Sequence, residues 1–600
     1  MKLFSKSSHL FGEALSVASA PSLAQQANCG PGSPCATTTM DGKQLPPPPQ
    51  EFEGKIGRNA AQSTPSLLRN PRLYQRCMVR IGLTLLVAGL SGCGSGGSGP
   101  ISGPPIGGDS PTIATVQIDP SATAQAISPN FMGIAQDIAE TSDLVGTATC
   151  NETCTSNMNP IYKQLIGNLV LYGNGPMLIR LLGDIGDSSD PDHYDRPHLA
   201  PLWQLHQDLG VRFFAGVDFK DNDTQTAHDE AAALVAVLPG DALQGIELGN
   251  EPDLYKPPVR DSGWDYNEYL AEYPAFASAI LAASGGVKLA APVWSSSVKY
   301  GFMPSLNDFV TSAEVPTPTL SMVVIHHYSG NPGERPDYLL TQAAVCGDTQ
   351  PYSGPGGCQG QIGDVRQYVP TAQQYGLPLR IGELNSINNK GQDGVSNSFS
   401  SALWAMDISF AYAQDGVSGV NFFNAHSNPN DLHYYSPFDF TYSGGKYSVH
   451  DINPLYYGML MFAQAVQSSA QLLPITLSQN GTIIYNITAW ATIDSGNTIR
   501  LLLLNKDVNA SGNVTVSLTG YGNATITRLM APLYSSKKGL TIGCLEDGQP
   551  AGQTFDGTPD GTLQGIPCSE TVEPVDGVYT VSLPNVGAAL VTIEPEPGVQ

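Results

Sequence analysis

Two apolar runs in this 600-residue chain lead into glutamates. Ile246-Glu-Leu-Gly-Asn-Glu-Pro-Asp253 delivers Glu251, and Leu379-Arg-Ile-Gly-Glu-Leu-Asn385 delivers Glu383. Two carboxyls about 5–5.5 Å apart can break a glycosidic bond with retention of configuration. One protonates the leaving oxygen and then deprotonates water. The other attacks the anomeric carbon. Neither segment is decisive alone, because Asn-Glu-Pro arises by chance and a strand-terminal Glu is often an ion-paired surface residue. Their joint placement carries the reading. The chemistry also sets a demand on the protons. Glu251 must stay protonated at working pH, so its surroundings should raise its pKa. Glu383 must be ionised, so donors beside it should lower its pKa.

Such a pair needs a rigid frame. Eight apolar runs recur between residues 131 and 424: Phe131–Ile138, Met177–Gly183, Arg212–Phe219, Gly245–Gly249, Val287–Val293, Ser321–Tyr328, Leu379–Glu383 and Val417–Asn424. They are largely continuous rather than alternating, as strands buried on both faces are. Segments of helical composition separate them. Eight strand–helix alternations predict an α/β fold, a (β/α)₈ TIM barrel, over 131–464. A doubly wound sheet is the rival, but it needs no eight repeats and no GxGxxG opens the first unit. Catalytic groups of such barrels sit at the C-terminal strand ends. Glu251 is placed at the end of strand 4 and Glu383 at the end of strand 7. After about residue 465, short Thr-, Val- and Ile-rich runs punctuated by Gly, Asn and Asp predict an all-β sandwich over 465–600. The strand-like Thr112–Asp119, within 112–130, is expected to join that sandwich.

The motifs Gly249-Asn-Glu-Pro-Asp253 and Gly382-Glu-Leu-Asn385, the later Pro454-Leu-Tyr-Tyr-Gly458 and the following β domain resemble glycoside hydrolase family 79. That family holds β-glucuronidases and heparanase-like enzymes within the retaining (β/α)₈ clan. The resemblance covers roughly 112–600. It implies Glu251 as acid/base and Glu383 as nucleophile. It implies Asn250 on the sugar 2-hydroxyl, and Tyr328, in Ile325-His-His-Tyr328, beside the nucleophile. Arg180 on strand 2 is a candidate ion-pair partner of Glu383 or, equally, a salt bridge at the barrel base. Asp184 is a candidate for a sugar hydroxyl, with simple loop solvation as the alternative. The loop from Asn424 to Tyr435 holds histidine and tyrosine donors suited to a uronate carboxylate. The function this implies is an exo-β-glucuronidase removing terminal β-linked glucuronate or its 4-O-methyl form. Related clan β-glucosidases or β-xylosidases and a non-catalytic carbohydrate-binding lipoprotein are the alternatives. No metal or organic cofactor is implied, and the expected partner is a carbohydrate.

Composition narrows the field further. Only 14% of residues are charged, with 64 Gly and 47 Pro, which fits many loops on a packed scaffold. The formal net charge of −25 disfavours nucleic acid and polyanions as partners. A heparan-sulfate depolymerase should carry basic clusters, and the densest basic motif of the expected mature chain is only Lys537-Lys538. Met78 to Cys93 has a basic start, a short apolar core and Leu90-Ser91-Gly92-Cys93, as in a bacterial lipoprotein signal. Lipidation of Cys93 would be the membrane link, placing the protein at the cell envelope. Residues 94–111 read as a Gly/Ser/Pro tether. Residues 1–77 show no convincing periodicity and read as a start-site misassignment, with a signal near Met1 as the alternative. Past Cys93 six cysteines remain, and neighbours suggest pairs 150–154, 346–358 and 544–568 among 15 possible sets. Zinc ligation is the rival.

Overall fold

The computed structural model describes residues 110–596, apart from 174, 189, 299–300, 348–357 and 480–482. The segments 1–77 and 78–93, with Cys93, and most of 94–111 lie outside the described residues.

The eight strands of a closed barrel are β1 (Met132–Gln136), β2 (Leu178–Leu181), β3 (Arg212–Val217), β4 (Leu243–Leu248), β5 (Leu289–Trp294), β6 (Leu320–Gly330), β7 (Leu379–Ile387) and β8 (Gly419–Phe423). Each pairs in parallel with its sequence neighbours, and β8 closes on β1. Most of their residues are buried, which explains the unbroken apolar runs. Helices such as Arg196–Leu209, Thr224–Val237 and Tyr266–Ala283 connect them. Their first turns are capped by the side chains of Asp195, Asp223 and Asp265, which accept from backbone N–H groups left free there.

The structure moves two expected strand ends. β4 stops at Leu248, so Glu251 stands in the turn three residues beyond it. β7 runs on to Ile387, so Glu383 lies inside the strand rather than at its end. The ladder to β6 slips at this point: Ile325 pairs with Ile381, but His326 pairs with Glu383. The extra residue is Gly382, where a Cβ would lie 2.3 Å from Val324 Cγ1. A bulge of this kind re-aims the side chain that follows it.

The β domain is a sandwich of two sheets over a shared core that includes Val116, Leu501, Val516, Tyr579 and Val591. Strand Thr112–Ile118 lies between Ile475–Ser478 and Gly512–Ser517. The domain is joined to the barrel through the helix Phe399–Gln414, buried from Phe399 to Ala413. There the Asp407 carboxylate accepts from Trp490 Nε1 at 2.9 Å and Lys506 Nζ at 2.5 Å. Disulfides close Cys150–Cys154, Cys346–Cys358 and Cys544–Cys568. A hairpin the sequence reading did not anticipate, Phe438–Ser443 with Lys446–Ile452, follows the β8 loop.

Candidate active site

Arg180 is the hub of the barrel mouth. It is fully buried on β2 and spends its guanidinium on three acceptors at 2.8 Å each: Nε on Glu247, Nη1 on Glu383 Oε2 and Nη2 on Asn250 Oδ1. A planar fork of this kind fixes its acceptors in direction as well as charge. Of the two readings of Arg180, the partner of Glu383 is the one realised. Tyr328 donates its hydroxyl to the other oxygen of Glu383 at 2.5 Å.

Glu251 meets a different setting. Its nearest partner is His326 Nδ1, 2.9 Å from Oε1. One oxygen of Glu251, one of Glu383 and a His326 nitrogen lie within 4.8 Å of one another. The two carboxyls therefore face across a short gap. The same trio could in principle hold a cation, but the Arg180 guanidinium already occupies one side of Glu383. Glu251 sits at φ 49° and its N–H donates to Val293, itself at φ 62°. Left-handed backbone at non-glycine residues is costly and is retained where the surroundings over-determine it.

Burial raises both carboxyls, and their neighbours oppose it to different degrees. Burial, helped by Asp184, pushes Glu251 up to about 7, against the opposing pull of Arg180 and Lys220. Burial also pushes Glu383 up, outweighing the lowering by His326, Arg180 and Tyr328. The expected net lowering at Glu383 does not hold, because removing a carboxylate from water costs more than these donors return. The two carboxyls differ in their donors. Glu383 has a guanidinium and a phenol as donors, whereas Glu251 has an imidazole that burial and Arg180 push down to about 3. A neutral imidazole serves either form of Glu251. It accepts from the carboxylic acid or donates to the carboxylate.

Asn250 is tied on three sides. Its N–H donates to Asp187, its Nδ2 to Asp184 Oδ1 at 2.9 Å, and its Oδ1 accepts from Arg180. Asp184 keeps 84% of its side-chain surface in solvent at the mouth. In the β8 loop, Tyr435 packs against Tyr328 with ring centres 6.0 Å apart. The two loop histidines are engaged rather than free. His426 Nδ1 lies 2.9 Å from Asp439, and His433 Nε2 lies 3.6 Å from Asp431.

All six residues singled out from the sequence thus meet in one mouth. Sequence reasoning missed Glu247, His326 and Asp187. A lone charge inside an apolar strand was the available signal for Glu247, and the His-His pair within β6 was the signal for His326. Nothing in the sequence distinguished Asp187 from other loop aspartates.

Residues 489–590 match the family model described as the glycosyl hydrolase family 79 C-terminal beta domain. A β-glucuronidase of Neurospora crassa is 23% identical over 360 residues, covering 51% of this chain and 59% of that protein. A β-glucuronidase of Aspergillus niger is 26% identical over 219 residues, covering 35% and 40% respectively. The chain therefore spans less than two thirds of either relative. Among solved structures, a 4-O-α-L-rhamnosyl-β-D-glucuronidase from Fusarium oxysporum superposes with a TM-score of 0.60 at 18% identity, over 80% of this chain and 99% of that one. A family 51 α-L-arabinofuranosidase from Bifidobacterium longum gives 0.55 at 15% identity, over 80% and 99%. At these identities the shared property is the fold.

Proposed function

We propose that this chain, whose C-terminal domain is that of glycosyl hydrolase family 79, is a retaining exo-β-glucuronidase. The observation that carries the reading is the facing pair Glu251 and Glu383, with a guanidinium and a phenol donating to Glu383 and a neutral imidazole beside Glu251. In this mechanism Glu383 attacks the anomeric carbon while Glu251 gives its proton to the leaving oxygen. The glycosyl ester removes the charge on Glu383. Glu251, left as a carboxylate by that transfer, then takes a proton from the attacking water, and water releases the sugar from Glu383. Asn250, held by Arg180, presents its amide to the sugar 2-hydroxyl. Asp184, exposed beside it, takes a further hydroxyl.

The preference for β-glucuronide draws on the two β-glucuronidase relatives; terminal position and the 4-O-methyl form are part of the same proposal. Action on small or terminal glycans, rather than on sulfated polymers, draws on charge. Lys537 and Lys538 are paired with Asp393 and Asp451, so the densest basic motif offers little to a polyanion. Export as a lipoprotein modified at Cys93 is part of the same reading. A lipid found on Cys93 by mass spectrometry of the native protein would support it, and an intact Met1 terminus would remove it.

A panel of chromogenic β-glycosides tests the activity. Wild type should release chromophore from the glucuronide, and Glu383→Ala should lose nearly all rate. Turnover of glucoside but not glucuronide would select the related clan glycosidases. Binding without turnover on every sugar would select a carbohydrate-binding protein.

A further inference from the structure

We infer that Asp187 is a positioning residue for the acid/base turn; this rests on the reading of Glu251 as acid/base. Asp187 sits in the β2 loop and is fully buried. Its Oδ1 accepts from Phe219 N–H at 3.0 Å, and its Oδ2 accepts from Asn250 N–H at 2.8 Å and from the Tyr255 hydroxyl. One carboxylate thereby clamps the loops after β2, β3 and β4. Lys220 Nζ stands 4.0 Å away, too far for a direct bond.

The clamp acts one residue from Glu251. The Asn250 N–H is the last donor before the left-handed residue, and without an acceptor there the turn loses a bond that opposes its strain. Gly249 makes the clamp possible. Its φ is +70°, and a Cβ would lie 2.5 Å from the Tyr255 hydroxyl and 2.7 Å from Phe219 Cβ. A side chain at 249 would thus displace the phenol that reaches Asp187. The glycine of the Gly-Asn-Glu-Pro run therefore has a definite role, since its bare Cα lets Tyr255 pass under the turn.

Arg180 secures the side chain of Asn250 and, through Glu383, the nucleophile. Asp187 secures the backbone that aims Glu251. Loss of Asp187 should therefore weaken proton donation while leaving nucleophilic attack largely intact.

Leaving-group dependence separates these. Wild type, Asp187→Asn, Tyr255→Phe and Glu251→Gln are compared on two β-glucuronides, one with an alkyl alcohol and one with a strongly acidic phenol as leaving group. The phenol departs without a proton; the alcohol requires one. Asp187→Asn preserves shape but, with its NH₂ group in place of Oδ2, leaves the Asn250 N–H and the Tyr255 hydroxyl without their acceptor. It should lower kcat/KM on the alkyl substrate on the order of 10²-fold and on the phenol by no more than about threefold. Tyr255→Phe keeps the carboxylate and should shift the same ratio in the same direction, by about tenfold or less. Equal losses on both substrates with a lowered Tm, or no loss on either, would overturn the inference. If Glu251→Gln itself shows no leaving-group dependence, the acid/base reading falls and takes this inference with it.

Discussion

The turn that holds Glu251 and the strand that holds Glu383 solve opposite problems. Glu383 is fixed inside β7 by a bulge and by charged and phenolic donors, with 9% of its side chain exposed. Glu251 stands beyond its strand in strained backbone, with 18% of its side chain exposed and a neutral ring as partner. Both carboxyls are buried enough to resist charge. What differs is which of them is given donors when charged. The lesson is that burial sets the scale of a pKa shift, and the donors around each carboxyl set how strongly that shift is opposed.

The sharpest way to break the contrast is at Arg180. Arg180→Lys keeps one positive charge but cannot serve Glu247, Glu383 and Asn250 together. It should lower kcat/KM by on the order of 10²–10³-fold, with far-ultraviolet circular dichroism unchanged. An effect under tenfold would mean the fork is not what sustains the Glu383 side.

Next in size is Tyr328→Phe, which removes one donor to Glu383 and leaves Glu251 untouched. A loss of about tenfold is expected. The pH profile of kcat/KM should show where it acts. The descending limb, set by Glu251 at about 7, should stay in place as rate falls with rising pH. The ascending limb, set by ionisation of Glu383, should move to higher pH. Movement of the descending limb instead would assign the phenol to the wrong carboxyl.

The smallest effect is on stability. Glu251 ordinarily titrates at 4.5 and in the folded protein at about 7. Between those values the native state keeps a proton that the unfolded chain has released. Native protein therefore binds more protons, and its stability falls as pH rises through that window. Glu251→Gln has no such proton to lose. It should gain on wild type by about 1–2 kcal/mol at pH 8, with the gap closing near pH 4.5. Denaturant melts at both pH values check this, and a gap that widens on acidification would reverse the assigned direction.

Much of this arrangement was legible in the sequence because barrel strands buried on both faces leave continuous apolar runs. The turn residues Gly249 to Asp253 and the run Gly382 to Asn385 interrupt that pattern with polar groups a core would not tolerate without purpose. The direction of the Glu383 shift was not legible, since burial depends on neighbours distant along the chain. The hairpin Phe438–Ser443 with Lys446–Ile452 was not legible, because half of it faces solvent and carries no apolar signal. Glu247 looked like noise inside an apolar strand until Arg180 stood opposite it.

Strand Thr112–Ile118 has one further consequence. Thr115 bonds Thr515 across 400 positions of chain, so the piece of sandwich synthesised first has no partner until nearly everything else has been made. Closing so long a loop is entropically slow, and the C-terminal half cannot be cut away as a self-sufficient module. A chain started after residue 119 would expose the edges of Ile475–Ser478 and Gly512–Ser517 to one another's copies. Self-association, rather than a tidy catalytic fragment, is the outcome to anticipate from such trimming.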